Sequence, residues 1–227
     1  MITIENFIEK HPGLETVSDD IKIALKYLVS SFSQGGGLFV CGNGGSAADS
    51  LHIVGELQKS FNNPRSLSFE QKQRFKGLED EEFLVNNLEN GLRAHSLVSE
   101  IALITAVSND IGADLIFAQQ VWACGTTNDI LLCISTSGNS RNVVLAAETA
   151  KAKGMKIISL TGENTKSKLN RISDVCIKVP TSETYKVQEY HIQIYHFICL
   201  LLEERFFKCF PNVKVSIYSP LSLYDKT

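Results

Sequence analysis

Leu38-Phe39-Val40-Cys41-Gly42-Asn43-Gly44-Gly45-Ser46, continued by AADSLHIVGEL to Leu57, is the stretch that decides the fold. Its first four residues carry no strongly polar side chain, as expected of a strand covered on both faces. A glycine-rich turn follows, and then a helical run over Ser46–Gln58. Glycines let the backbone turn tightly and approach a ligand closely. The N–H groups that open the helix face whatever binds there and favour an anion or a polar sugar. A plain glycine turn with Ser46 as N-cap is the competing explanation. The turn is neither a Walker loop nor a GxGxxG fingerprint, which disfavours a nucleotide.

The same rhythm continues on both sides. Apolar residues at Ile21, Leu25, Leu28, Val29 and Phe32 mark a helix before Gly35-Gly36-Gly37. Helical patterns recur at Leu115–Trp122, Asn142–Lys153 and Tyr185–Phe207, and strand candidates at Ala102–Val107, Ile130–Ser135, Lys156–Leu160 and Val175–Val179. This alternation predicts an α/β three-layer sandwich, a central parallel sheet of about five strands flanked by helices. Ligands of such sheets bind at the carboxyl ends of the strands, where strand order reverses. Residues 59–99 break the rhythm: they are polar, mixed in charge and show no clear strand. Phe69, Phe75, Phe83 and Leu88 are spaced along them, so the segment is expected to fold against the body as an insertion or lid. The chain divides into one domain over 1–210 and a tail over 211–227, which is read as adding an edge strand.

The bulk numbers agree with one large domain. The chain has 227 residues, 44% hydrophobic and 21% charged, with a formal net charge of −3. Nothing points to nucleic acid or membrane as partner, so any anion site is local. The six cysteines are scattered without a CxxC pair, and the first residues form no apolar run of signal-peptide length. A reduced, cytoplasmic protein is the expectation.

A second loop, Ser135-Thr136-Ser137-Gly138-Asn139-Ser140, again joins an apolar strand to a helix. Four hydroxyls around one glycine turn supply several donors to one phosphate, whereas a helix cap needs only one. Two clusters offer acid–base chemistry. His52 and Glu56 stand four apart on one helix face, able to hold a divalent metal, move protons, or do neither. Gln188-Glu189-Tyr190-His191 and His196 lie in an otherwise apolar helix, where a histidine is more often packing than ligand. His11 and His95 read as surface residues.

Together these elements resemble the SIS (sugar isomerase) domain and, within it, the phosphoheptose isomerase family. The matching pieces are Cys41–Leu57, Ser108–Gly112, Asp129–Val144, Leu160–Gly162 and Val187–His196, in family order. The resemblance implies a flavodoxin-like strand order and a ketose–aldose isomerase, most directly one turning sedoheptulose 7-phosphate into D-glycero-D-manno-heptose 7-phosphate. It implies that Asn43, Gly44, Gly45, Ser46 and Gln188 contact substrate, that Asn109 and Asp110 contact the sugar, and that Ser135, Thr136, Ser137 and Ser140 hold the phosphate. Glu56 and His196 match the acid–base pair, and His52, Glu56, Gln188 and His196 match positions that can bind zinc. It also implies a homotetramer with active sites at subunit interfaces. The chain departs from the family at LQKSF, where many members have a Leu-Thr-Gly-Arg-Tyr string, and at Tyr185, where some carry an aspartate. A non-catalytic sugar-phosphate-binding SIS protein and an isomerase of another sugar phosphate are the alternatives.

Gln188 and His196 stand eight residues apart, about 12 Å along a straight helix and differing by about 80° in direction. Two ligands of one ion each lie only about 2 Å from it. Either one of the two is not a ligand, or they serve one site from different chains. Glu56 and His196 are expected to meet across a subunit interface on the second alternative.

Overall fold

Residues 2–208 are described by a computed structural model. In chain order the elements are α1 (Ile4–Lys10), α2 (Ser18–Ser33), β1 (Leu38–Gly42), α3 (Gly45–Gln58), α4 (Phe69–Gln73), α5 (Glu81–Asn87), β2 (Ala94–Ser96), α6 (Ile101–Val107), α7 (Ile116–Cys124), β3 (Ile130–Ile134), α8 (Arg141–Ala152), β4 (Lys156–Thr161), α9 (Lys168–Ile172), β5 (Val175–Lys178) and α10 (Thr184–Phe207). All five strands pair in parallel in the order β2-β1-β3-β4-β5. This is the flavodoxin-like order. Every residue of β1 and β3 is buried, which explains their unbroken apolar sequences.

One face of the sheet is covered by α2, α3 and α10, whose Ile21, Leu28, Ile53, Leu57, Ile194 and Leu202 pack over the strands. The opposite face is covered by α7, α8 and α9 through Phe117, Val121, Val143, Ala147 and Leu169. Strand order reverses between β1 and β3, paired from Leu38↔Ile130 to Gly42↔Ile134. Both predicted loops leave the sheet at this one edge. At the other end, buried Asp129 accepts from Gly37 N at 2.8 Å, from Thr126 N and Oγ1, and from the Arg93 guanidinium.

Several expectations are corrected. Ala102–Val107 is not a strand: it lies in α6, and the missing fifth strand is β2, inside the segment read as strandless. β2 is only three residues long and holds His95, which is half-buried against Phe39 and not a surface residue. The phenylalanines of 59–99 do not pack inward as a set: Phe69 is 72% and Phe83 68% exposed. The segment is instead closed at its neck. Asn90 N donates to Arg65 O at 2.7 Å, Leu92 N donates to Leu57 O at 2.8 Å, and Ser66 bridges Glu89. His11, also read as a surface residue, is half-buried beside Phe7. The expected edge strand after Pro211 lies outside the described residues.

Residues Ile101–Cys124 are long and apolar enough to cross a membrane by length and composition alone, with mean hydropathy 1.5. Gly112 interrupts them with φ 144° and ψ 140° after a π turn over Ser108–Gly112. Neither α6 nor α7 approaches the roughly 20 residues a spanning helix needs. Ile101, Leu103, Ile111 and Trp122 remain exposed on this stretch.

Candidate active site

The first loop turns at Gly44, with φ 56° and ψ −122°, and α3 begins without any side-chain cap. Ser46 is therefore not an N-cap. It is buried against Gly42, while Asn43, Gly44 and Gly45 are exposed at the mouth. A Cβ on Gly45 would lie 2.5 Å from Gln188 Nε2, so the glycine is what lets the start of α10 close on this loop. Asn43 and Asn142 exchange amide hydrogen bonds of 2.8 and 2.9 Å and tie the two loops together.

The second loop does not cap its own helix with a side chain. Ser140 occupies the N-cap position of α8 but makes no side-chain cap; its hydroxyl pairs with Ser135 Oγ at 3.0 Å. The N–H groups of Arg141 and Asn142 thus keep capacity for a ligand, while Val143 N donates to Asn142 Oδ1 at 3.0 Å. Ser137 is exposed and Thr136 half-buried. Gly138, at φ 65°, would drive a Cβ to 2.6 Å from Ser167 Oγ, and its carbonyl accepts from Leu169 N. Arg141 joins the start of α8 to Asp114 at 2.7 Å, placing the exposed Asn109–Asp110 turn in the neighbouring connection.

The acid–base candidates lie further along α3. Gly45 and Glu56 are eleven residues apart, about 16 Å of helix. Glu56 Oε1 is 3.2 Å from His52 Nε2 and 3.2 Å from His196 Nε2, all within one chain. The expectation that Glu56 and His196 meet across an interface is overturned. Gln188 does not join them: it sits against Gly45, two turns of α10 away, as the eight-residue spacing allowed. Among the described residues, neither oxygen of buried Glu56 has a partner at hydrogen-bond geometry, nor does His196 Nε2. The 3.2 Å approaches therefore lack hydrogen-bond angles. Burial raises the Glu56 carboxyl above its ordinary range, and the nearby Cys199 thiol and His52 offset this only in part. Burial, with His52 adding, lowers the His196 imidazole. A carboxyl and an imidazole drawn in these directions suit proton transfer.

Unpaired atoms of this kind also suit a divalent cation. Ligand atoms of His52, Glu56 and His196 all lie within 4.8 Å of one another. Two donors, each about 2.1 Å from one tetrahedral ion, stand roughly 3.4 Å apart, close to the distances here.

Several partners were invisible in the sequence. Tyr195 OH lies 3.1 Å from His52 Nδ1 and donates to Asp49 Oδ1 at 3.3 Å. The Phe61 ring stands 5.7 Å from that of His196, so the start of the excursion borders the site. Arg65, the arginine that follows the departing LQKSF string, is 2% exposed and turned away into the core. The Asp49-x-x-His52 spacing was the one available signal. His191, by contrast, is fully buried in packing, as its apolar context suggested.

A parallel five-stranded sheet carries two hydroxyl- and glycine-rich loops at its switch point, and the SIS domain family model matches residues 89–162. A phosphoheptose isomerase of Helicobacter pylori is 35% identical over 212 residues, 89% of this chain and 97% of that protein. The structure of a phosphoheptose isomerase from Francisella tularensis superposes with a TM-score of 0.69 at 32% identity, covering 88% of this chain and 94% of that one. A phosphoheptose isomerase structure from Neisseria gonorrhoeae gives 0.69 at 29% identity with the same coverage. The chain belongs to the phosphoheptose isomerase family, and it is a phosphosugar isomerase.

Proposed function

We propose that the chain converts sedoheptulose 7-phosphate to D-glycero-D-manno-heptose 7-phosphate through an enediol. The observation that carries this reading is one buried, unpaired carboxylate, Glu56, held 3.2 Å from two imidazoles. The names of the relatives supply the heptose. Ser135, Thr136, Ser137 and Ser140 grip the phosphate together with the start of α8, and that remote binding energy orients the reacting end. Asn43, Gly44, Gly45, Ser46, Asn109, Asp110 and Gln188 contact the sugar. With the ketose open, Glu56 removes a proton from C1 and returns it at C2, while His196 protonates the carbonyl oxygen at C2 and takes the proton from O1.

His52, Glu56 and His196 would hold zinc, with Gln188 too distant along α10 to join them. When bound, the ion would polarise the substrate carbonyl as a Lewis acid.

The enzyme works as a cytoplasmic homotetramer, and its sites lie at subunit interfaces. Two observations support assembly. The apolar residues Ile101, Leu103 and Ile111 stand exposed beside Asn109 and Asp110. Gly45, whose loop is tied to the Ser135–Ser140 loop by the Asn43–Asn142 amide pair, and Glu56 are separated by about 16 Å along α3, whereas an extended seven-carbon phosphate reaches roughly 10 Å from ordinary bond lengths. The phosphate grip of one chain then serves the carboxylate of a neighbour. The 59–99 segment borders the site through Phe61.

Turnover of a panel of C5–C7 ketose phosphates by the purified protein tests the reading. Preference for the C7 substrate is expected; preference for a shorter ketose would reassign the substrate within the isomerase class.

A further inference from the structure

We propose that Tyr195 and Asp49 are positioning residues that fix His52 in its Nδ1–H tautomer, so that the Nε2 lone pair always faces Glu56. The inference deepens the reading of His52, Glu56 and His196 as a cation-holding, proton-moving cluster, and rests on it.

Counting protons decides the tautomer. Tyr195 carries one hydroxyl proton, and its two close partners are Asp49 Oδ1 at 3.3 Å and His52 Nδ1 at 3.1 Å. A carboxylate can only accept, so the hydroxyl proton goes to Asp49. The tyrosine oxygen must then accept from His52, which places the imidazole proton on Nδ1. A neutral imidazole has one proton, so Nε2, 3.2 Å from Glu56 Oε1, is left with a lone pair.

The relay is anchored at both ends. Asp49 precedes His52 by three residues on α3, so the two share a helix face. Tyr195 is 2% exposed and reaches across from α10, next to His196, while its ring meets both imidazoles edge-on. Ligating histidines generally give their second N–H to an oxygen, and loss of that partner costs roughly 10–100-fold in metal affinity. Here one hydroxyl joins the two helices that carry all three donors.

Two measurements test it, and the first needs no metal. In metal-free protein labelled with 15N-histidine, two-bond 1H–15N correlations report the tautomer of each of the five histidines, with His52 assigned from a His52→Gln variant. His52 should be Nδ1–H in the wild type and should shift towards Nε2–H in Tyr195→Phe. A wild-type Nε2–H signal, or a tautomer unchanged in Tyr195→Phe, overturns the proposal. The second is calorimetric titration with Zn2+ alone. Tyr195→Phe should bind about 10–100-fold more weakly than wild type, and the loss should vanish when compared within a His52→Ala background. Equal affinity of wild type and Tyr195→Phe overturns the relay while leaving the cluster intact. Failure of the wild type to bind zinc removes the cation reading itself, and the tautomer measurement then decides the relay on its own.

Discussion

Two buried glutamates on neighbouring helices meet opposite fates. Glu203, on α10, accepts from the backbone N–H groups of Phe61, Asn62 and Asn63, from Asn63 Nδ2, and from Arg65 Nε at 2.9 Å. Burial pushes its carboxyl up, but these donors outweigh burial and hold it below its ordinary range. Glu56, on α3, has none of these donors, and burial raises it. Arg65 touches both environments: its Nη1 and Nη2 donate to the carbonyls of Leu57 and Glu56 at 2.7 and 2.8 Å. The satisfied carboxylate closes the neck of the excursion and secures the end of α3. The unsatisfied one keeps both oxygens unpaired among the described residues, an unfavourable burial of the kind that clusters at functional sites.

The same isosteric change at the two positions breaks or sharpens this contrast. Glu56→Gln should lower isomerase turnover by about 10²–10⁴-fold, the usual worth of a positioned acid–base group. Its thermal midpoint should stay level or rise, because an unpaired charge has been removed. Glu203→Gln should do the reverse. Leaving the Arg65 guanidinium buried without its partner costs on the order of 3–5 kcal/mol, read as a lower urea midpoint, with far less effect on turnover per folded molecule. Comparable loss of turnover in both variants would erase the distinction.

A third buried titratable group on α10 separates packing from chemistry by pH. Burial holds the His191 imidazole down at about 4. Between that value and the ordinary 6.5 the unfolded chain binds more protons, so stability falls as pH drops through this window. A shift of this size corresponds to about 3 kcal/mol lost between pH 7 and pH 4. Glu203, held low, also loses stability in acid, so the comparison must be with His191→Leu. Urea midpoints of the wild type should fall more steeply than those of His191→Leu over this range. Parallel pH profiles would mean that His191 is not buried neutral.

The difference between the two glutamates also marks what could be read beforehand. Leu38–Cys41 and Ile130–Ile134 were legible as strands because burial on both faces leaves no polar residue. Ala94-His95-Ser96 was not, since three residues with a histidine carry no period. Ala102–Val107 misled for the converse reason: its apolar, β-branched run reflects an exposed helix face and not burial in the sheet. Glu56 was visible through its helical spacing from His52. The Arg65–Glu203 pair was not, because 138 residues separate the partners and nothing local announces the contact.

The smallest expected effect falls on the loop proposed to hold the phosphate, whose hydroxyls lie between the two glutamates in character. Ser135 and Ser140 satisfy one another at 3.0 Å, whereas Ser137 is exposed and its oxygen accepts only from Asn139 N at 3.2 Å among the described residues. The Ser137 proton is therefore free for a phosphate oxygen. Ser137→Ala should weaken sugar-phosphate binding by roughly 1–2 kcal/mol, the worth of one hydrogen bond to a charged group. Stability should hardly change, because the one bond lost joins neighbours within an exposed turn. Calorimetric titration with sedoheptulose 7-phosphate in the Glu56→Gln background, where turnover is suppressed, reads the affinity directly. Undiminished affinity would mean that the phosphate is held by the backbone N–H groups of α8 and the remaining hydroxyls, with Ser137 shaping the turn alone.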